Sequence, residues 1–271
     1  MKRIQLFEFE DQTWFPAWMR TSLTRVIRVL LKSMGTTELS AQLIKKKLKK
    51  TNADRVVDLG SGAGGVMIDV FEEIKQDKDL KNTSFILTDL YPSKKHINYI
   101  NELPYDQLRY EQKPLNALDL ESAPQGLKTM FNAFHHLQPS DAKKLLTSAV
   151  ESKSPLLIYE MADNSIPSAI WWLLLPISLI IVFIMCLIFT PFVRPLTFKQ
   201  LFFTYIIPII PITYAWDGQA SYPRIYAIKD IKELLSGVDQ SEYCIEVEHL
   251  KNDKGKKQGY YIFGYPKNGK K

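Results

Sequence analysis

The segment with the clearest chemical potential is a glycine-rich run, VVDLGSGAGG, at residues 56–65. A short apolar run precedes the glycines and a helical pattern follows them, which predicts a turn from a strand into a helix. Glycines at such a turn let the backbone bend sharply and approach a ligand with no Cβ in the way. Gly60, Gly62 and Gly65 also satisfy the dinucleotide fingerprint. The glycines therefore predict a nucleotide-type ligand without choosing one.

Two carboxylates accompany this loop. Asp58 lies two residues before Gly60, where it would repel a pyrophosphate but attract a cation such as the sulfonium and amino groups of S-adenosylmethionine. Asp89 ends the next predicted strand, and a carboxylate there can accept both hydroxyls of a ribose in either cofactor class. Asp58 thus favours a positively charged adenosyl cofactor, and Asp89 supports an adenosine ligand without distinguishing the two classes.

An alternation of strand and helix patterns positions these residues. The predicted strands are residues 55–59, 84–89, 127–131 and 155–161, and the predicted helices between them are residues 64–74, 94–103 and 139–150. Such alternation builds a parallel sheet with helices on both faces. Two further β-rich runs, residues 243–250 and 259–265, flank a polar loop and predict an antiparallel hairpin at the edge of the sheet.

With these residues in place, the chain resembles the class I S-adenosylmethionine-dependent methyltransferases over residues 51–163 and 226–265. The resemblance implies an α/β fold, with a doubly wound, mostly parallel seven-stranded sheet that ends in an antiparallel hairpin. It also implies S-adenosyl-L-methionine as the cofactor. The cofactor residues implied are Asp58, Gly60, Ser61, Gly62, Gly64, Asp89, Leu90, Asn116, Ala117 and Asn132.

The resemblance also suggests how these residues divide the cofactor. Gly60, Gly62 and Gly64 would line its methionine end, and Asp89 would hold the ribose. Residues 115–117 are similar to the loop that meets the adenine, although many relatives have an acid where Asn116 stands.

The run FNAFHHL at residues 131–137 is similar to the end of the fourth strand in the small-molecule and quinone methyltransferase branch. By that likeness His135 or His136 is a general base or positions the acceptor, whereas packing or helix capping is the alternative for either one. The Asn-Pro-Pro-Tyr and Asp-Pro-Pro-Tyr motifs are missing here, which disfavours methylation of adenine in DNA and of glutamine.

Residues 216–226, WDGQASYPRIY, resemble a stretch that the same branch places over the acceptor pocket. Asp217 and Arg224 are therefore further catalytic candidates, and a simple turn at Asp217-Gly218 is the alternative. Near the N-terminus, Glu8, Asp11 and Trp14 belong to a run of residues that resembles part of a lid.

The most unusual segment carries no charge over 30 residues, 164–193. Within it residues 169–189 are apolar except Pro176 and Ser178, and as a helix they would span about 31 Å, which matches a bilayer core. Both ends join one sheet, so the chain crosses an even number of times or dips into one leaflet. Arg194 and Lys199 would lie beyond a full crossing, against the positive-inside tendency. A buried helix of a soluble protein is the third possibility.

Basic residues concentrate nearby in sequence: residues 20–50 hold nine and only one acid. They predict a basic amphipathic helix that breaks at Gly35, followed by a second helix. Such helices pack as a lid on the next domain, contact anionic lipid headgroups, or do both. Nucleic acid is disfavoured because interleaved aromatic residues are missing. Acids at residues 8–11 exclude a signal peptide, so we expect a catalytic domain on the cytoplasmic side of a membrane.

The sequence thus predicts four parts: a helical lid at 1–50, a cofactor-binding core at 51–163, a membrane-inserted segment at 164–216 and the rest of the core at 217–271. Cys186 and Cys244 have no partner at metal-ligand spacing, so no metal is expected. The predicted function is membrane-associated methyl transfer to a lipophilic acceptor: a phospholipid amine, a quinone or phenol, or a lipid-linked group. A nicotinamide-dependent oxidoreductase and an inactive membrane scaffold remain the alternatives.

Overall fold

The computed structural model describes residues 1–267. Its helices are α1 (Ala17–Ser33), α2 (Thr36–Thr51), α3 (Met67–Lys75), α4 (Lys94–Asn101), α5 (Pro139–Glu151), α6 (Ser168–Phe189), α7 (Phe198–Tyr205), α8 (Ile209–Arg224) and α9 (Ile228–Leu234). Its strands are β1 (Arg55–Leu59), β2 (Ser84–Thr88), β3 (Leu108–Tyr110), β4 (Leu127–Phe131), β5 (Leu156–Glu160), β6 (Tyr243–Lys251) and β7 (Lys257–Pro266).

The chain forms two compact units. The helical unit consists of Met1–Met34 and Asp163–Asp230, and the sheet unit consists of Gly35–Ala162 and the chain from Ile231 onward. The units therefore divide at 34/35, 162/163 and 230/231, where the sequence placed boundaries at 50/51, 163/164 and 216/217. The first difference arises because α2 packs within the sheet unit, and the last because α8 continues beyond residue 216.

The sheet has the order β3-β2-β1-β4-β5-β7-β6. The first five strands are parallel, and β7 runs antiparallel to both of its neighbours. These features confirm the predicted methyltransferase-type sheet. A dinucleotide-binding Rossmann sheet has the order 3-2-1-4-5-6 without this inverted strand. The carboxyl ends of β1, β2, β4 and β5 lie along one edge, where ligands bind in open α/β sheets.

The sequence located most elements of this unit. β1 is buried because Val56 and Val57, with no exposed surface, pack between helices on the two faces of a central strand. α3 begins at Met67 rather than the predicted residue 64, because Gly64 and Gly65 adopt positive φ angles that an α-helix excludes. β3 was missed, since three residues are too few for a period-two pattern.

The basic residues of α2 are used inside the sheet unit. Lys47 is buried, with its Nζ atom 3.2 Å from Glu246 Oε2 and 4.2 Å from the centre of the Phe263 ring. The Nζ atom of Lys50 lies 2.5 Å from Glu246 Oε1 and 4.1 Å from the centre of the Tyr265 ring. Packing within the sheet unit therefore accounts for Lys47 and Lys50. Lys46 of α2 and Lys32 of α1 are exposed.

In the helical unit α1, α6, α7 and α8 pack around one apolar cluster. Its buried members are Phe15, Met19, Leu23, Val26, Cys186, Val193, Ile210 and Tyr214. Ser168–Phe192 is a helix long and apolar enough to cross a membrane, and only 17% of its most apolar window is buried. α7 and α8 pass the same test only together, although a 77° bend separates them.

Candidate functional site

The glycine loop after β1 leaves open space beside three of its four glycines, Gly60, Gly62 and Gly65. Gly60 and Gly62 have φ angles of +68° and +53°, and a Cβ atom added at either would meet nothing within 4 Å. Gly64 differs, because its Cβ atom would lie 2.8 Å from Ile68 Cδ1 and 2.9 Å from Ile100 Cδ1. Gly60 and Gly62 therefore form an open cradle. Gly64 permits close packing of α3 and α4, and its place at the methionine end of the cofactor stays a prediction.

Hydrogen bonds hold the cradle to the neighbouring strands. The amide of Ser61 donates to the carbonyl of Thr88 at 2.8 Å, and the amide of Gly62 donates to Asp89 Oδ2 at 2.9 Å. The buried hydroxyl of Tyr110 donates to the carbonyl of Gly62 at 2.9 Å. Sequence reasoning missed Tyr110, because it ends the short strand β3 that no pattern revealed.

Asp58 lies beneath the loop and is only 4% exposed. Its carboxylate accepts hydrogen bonds from Ser61 Oγ at 2.6 Å and from Thr129 Oγ1 at 2.9 Å. Burial is the largest influence and raises the pKa of Asp58 to about 7, against the two hydroxyl hydrogen bonds, which lower it. The carboxyl group that the sequence predicts to attract a cation thus lies buried beneath the loop, with a pKa near neutral.

Asp89 is oriented by backbone amides at the end of β2. Its Oδ1 atom accepts a hydrogen bond from the amide of Tyr91 at 2.8 Å, in addition to the Gly62 bond on Oδ2. The amide of Leu115 donates to the carbonyl of Asp89 at 2.9 Å, which brings the predicted adenine loop beside the predicted ribose carboxylate. Leu90 and Asn116 are both exposed there. The structure thus assembles these predicted residues, together with the adjoining Ala117, at one place.

Asn132 braces the ends of β4 and β5. It adopts a left-handed φ angle of 50°, which Asn tolerates better than most residues. The backbone amide of Asn132 donates to the carbonyl of Tyr159 at 2.8 Å, and its side-chain Oδ1 atom accepts from the backbone amide of Met161 at 2.9 Å. Its side chain therefore shapes this edge of the sheet, whatever contact it makes with a cofactor.

His135 pairs with a carboxylate that the sequence analysis did not single out. His135 Nδ1 lies 2.8 Å from Glu160 Oε2, and the His135 amide donates to Glu160 Oε1 at 3.0 Å. Both side chains are buried, with 5% and 1% exposed. The carboxylate favours the tautomer that donates from Nδ1, so that Nε2 is the basic nitrogen of the ring.

Glu160 ends the buried strand β5 as an acid, just as Asp58 and Asp89 stand at the ends of β1 and β2. An acid at the end of a buried strand was therefore the sequence signal that could have identified Glu160. The His136 ring lies 4.3 Å from the His135 ring and is less buried, and the catalytic role of either histidine stays a prediction.

Asp217 and Arg224 both lie in α8 of the helical unit, which excludes the alternative of a simple turn at Asp217-Gly218. Asp217 accepts hydrogen bonds from the amides of Phe9 and Glu10 at 2.8 and 3.1 Å. The guanidinium of Arg224, only 1% exposed, pairs with Glu8 at 2.9 Å and with Asp11 at 2.7 Å.

Asp217 and Arg224 therefore hold the N-terminal segment in place, as positioning residues, and their catalytic role stays a prediction. Glu8 and Asp11 are part of that segment. The nearby Trp14 is 64% exposed.

Glu10 is the unusual acid of this cluster. Burial, followed by the charges of Asp217 and Glu8, raises its pKa to about 8, while the cation of Arg20 lowers it. Glu10 thus changes charge just above neutral pH, within a segment whose backbone amides are bound by Asp217.

No family model and no curated protein matches the chain. Among solved structures, the pyocyanin biosynthetic protein PhzM is 13% identical with a TM-score of 0.46, and the match covers 88% of this chain and 57% of that protein. The methyltransferase domain of bacterial CtHen1 is 12% identical with a TM-score of 0.46, over 84% of this chain and 98% of the domain.

Human N-acetylserotonin methyltransferase in complex with SAM is 11% identical with a TM-score of 0.48, over 93% of this chain and 57% of that protein. This chain thus spans little more than half the length of PhzM and of the human enzyme. Identity and TM-score are low throughout, and the strand order of the chain itself establishes the fold.

Proposed function

We propose that the protein is an S-adenosylmethionine-dependent methyltransferase that acts on a lipophilic small molecule at a membrane. The observation that carries this proposal is the open cradle of Gly60 and Gly62 between the carboxylates of Asp58 and Asp89. It lies at the ligand-binding edge of a sheet with the order β3-β2-β1-β4-β5-β7-β6.

The residues of the cradle fit S-adenosylmethionine. The backbone of Gly60 and Gly62 can approach the methionine end, Asp89 can accept the ribose hydroxyls, and Asp58 supplies negative charge nearby once ionised. The cofactor supplies a methyl group activated by a sulfonium. A nicotinamide dinucleotide fits less well, because its pyrophosphate would bring negative charge toward Asp58 and because the inverted strand β7 departs from the dinucleotide-binding sheet.

The His135–Glu160 pair supports an acceptor that must lose a proton. During transfer a bond forms between the acceptor oxygen and the methyl carbon while the bond from that carbon to sulfur breaks. Nε2 of His135 is suited to take the hydroxyl proton, and Glu160 stabilises the resulting imidazolium. Among the predicted acceptors, a phenol or reduced quinone therefore fits better than a phospholipid amine or a lipid-linked group without an acidic hydroxyl.

The lipophilic character of the acceptor is inferred from α6. Its apolar side chains, including Leu173 at 76% exposed and Ile180 at 61%, have no cover in the described part of the chain. An apolar surface of this extent marks a membrane or partner interaction. A membrane would bring a lipophilic acceptor to the same enzyme.

The test is incubation of the full chain with methyl-labelled S-adenosylmethionine and a total membrane extract, followed by separation of lipid, quinone and protein fractions. We expect label in the lipid or quinone fraction, loss of label with Asp89→Asn, and retention with the exposed control Asp119→Asn. Label confined to protein or nucleic acid contradicts the lipophilic acceptor. Cofactor binding without label in any fraction favours an inactive scaffold. Binding of NADH but not of S-adenosylhomocysteine overturns the proposal.

A further inference from the structure

Most of the exposed apolar side chains of α6 lie on one face of the helix. They recur every three or four residues and are Ile170, Leu173, Leu174, Ile177, Ile180, Ile181, Ile184 and Ile188, whereas Trp172 is exposed outside this face. On the other side Trp171, Leu175 and Cys186 are buried, and Ser178 Oγ donates to Gln219 Oε1 of α8 at 2.9 Å. α6 therefore packs against α8 along one narrow stripe, and the rest of its surface is available to an apolar phase.

The chain just after the C-terminal end of α6 is tied to α1. Arg25 Nη1 donates to the carbonyl of Pro195 at 3.2 Å, and Gln200 Nε2 donates to the carbonyl of Ser22 at 3.3 Å. The rings of Trp18 and Phe203 lie 5.0 Å apart. The C-terminal end of α6 and the middle of α1 must therefore lie at the same depth relative to a membrane.

α1 cannot reach across a bilayer from that point. From Arg25 to Gly35, where the sheet unit begins, the chain has ten residues, or about 15 Å of helix. A hydrocarbon core is about 30 Å thick, and Arg28 and Lys32 lie within this short stretch. The sheet unit stays in water because its helices carry charged surfaces such as that of α2. Both ends of α6 therefore connect to the same aqueous side.

The helices α7 and α8, which follow α6 in the chain, also expose apolar side chains. α7 and α8 are bent by 77°, and Phe198, Ile206 and Ile212 are exposed along them at 81%, 69% and 53%. These side chains extend the apolar surface beyond α6. The exposed cations Lys32, Arg194 and Lys199 belong to the same unit.

From this arrangement we propose that the helical unit enters only one leaflet of the membrane. α6 lies in the membrane plane with its exposed face toward the acyl chains, and Lys32, Arg194 and Lys199 face anionic phospholipid headgroups. The inference rests on the membrane attachment proposed above, but not on methyl transfer. It gives the enzyme access to lipophilic acceptors from the cytoplasmic leaflet alone.

Labelling of single cysteines from each side of the membrane tests this arrangement. Arg194→Cys and, as a control in the sheet unit, Lys254→Cys are placed in a Cys244→Ser chain that keeps the buried Cys186. A membrane-impermeant maleimide should label both in sealed inside-out vesicles and neither in intact cells. Labelling of Arg194→Cys in intact cells overturns the inference, because a crossing hairpin would expose it outside. Absence of the protein from washed membranes instead overturns the membrane attachment.

Depth measurements along α6 provide a second test. Nitroxide labels at Leu173→Cys, Ile180→Cys and Ile188→Cys should lie at similar depths if α6 is parallel to the membrane. In a crossing helix the label at residue 180 would lie about 10 Å deeper than the other two, since seven or eight residues of helix separate it from each. That result would contradict the proposal.

The headgroup contact is tested by charge removal. Lys32→Gln with Arg194→Gln should weaken binding to vesicles that contain anionic phospholipid by about fivefold per cation, without changing binding to zwitterionic vesicles. The matched control is Lys254→Gln with Lys256→Gln, two exposed cations of the sheet unit. Equal weakening by the control pair refutes the assigned orientation.

Discussion

The buried carboxyl group of Asp58 makes cofactor binding dependent on pH, and the sign of that dependence identifies the ligand. With a pKa of about 7, Asp58 is ionised in roughly one molecule of eleven at pH 6 and in roughly ten of eleven at pH 8. A cationic ligand that needs the ionised form should therefore bind about tenfold more tightly at pH 8. A pyrophosphate ligand should show the opposite trend.

The assay is calorimetric titration of wild type and Asp58→Asn with S-adenosylmethionine and S-adenosylhomocysteine at pH 6 and pH 8. Wild type should show the tenfold gain with S-adenosylmethionine and a smaller gain with the product, which lacks the sulfonium charge. The variant should lose the pH dependence and bind more weakly at pH 8. Affinity in wild type that is unchanged between pH 6 and pH 8, or an equal gain in the variant, would refute the reasoning.

The same carboxyl group affects stability in a defined direction. Its pKa is raised from 3.8 to about 7, so its contribution is fully present below pH 4 and is lost as pH rises through 7. At about 1.4 kcal/mol per unit, the loss is about 4 kcal/mol. Hydrogen exchange of the β1 amides should show wild type losing protection between pH 5 and pH 8 more steeply than Asp58→Asn. Parallel curves would contradict the placement of this carboxyl group.

Four further predictions follow from the geometry. Gly64→Ala should destabilise the sheet unit by about 1–3 kcal/mol more than Gly60→Ala, because both alanines are strained at a positive φ but only the one at residue 64 meets two isoleucine side chains; Gly60→Ala should in addition weaken cofactor binding, and denaturant unfolding and calorimetry measure the two effects. Glu160→Gln should lower kcat, shift its pH profile and leave KM for the cofactor unchanged, and a changed KM alone would contradict its role in orienting the base. Arg224→Met should destabilise the helical unit by about 3–5 kcal/mol, because it leaves the buried carboxylate of Glu8 without its cation. Arg224→Lys, which keeps a cation, should destabilise the unit less. Tryptophan fluorescence reports the unfolding, because all five tryptophans lie in that unit. Glu10 has a raised pKa of about 8, so proteolysis of the N-terminal segment should increase as pH rises through 8 and Glu10→Gln should remove that increase.

The spacing of apolar residues and the glycines at the turn after β1 were enough to locate the sheet and the cradle. The glycines fixed the end of β1, and strand-helix alternation predicted the parallel sheet that places Asp58 and Asp89 at one edge. Pattern alone missed β3, and with it Tyr110, because neither a three-residue strand nor a hydroxyl bond to a loop 48 residues away leaves a periodic signal.

The site chemistry was less accessible, because it depends on which side chains meet. Nothing local in the sequence pairs His135 with Glu160, since the contact requires β4 and β5 to be neighbours in the sheet. The assignment of Asp217 and Arg224 to the acceptor side followed a motif, whereas the structure shows them bonded to residues 8–11, more than 200 positions earlier. A buried charge such as that of Arg224 requires a partner of opposite charge, but the sequence does not reveal a partner that lies so far away in the chain.

The two segments of the helical unit are separated in the chain by the 128 residues from Gly35 to Ala162, which belong to the sheet unit. The first segment ends at Met34, and the residues of α8 that complete its apolar cluster follow about 175 positions later. At ordinary translation rates that interval is on the order of ten to forty seconds. During it Met19, Leu23 and Val26 have no α8 to pack against, so the nascent chain presents a basic amphipathic helix to its surroundings.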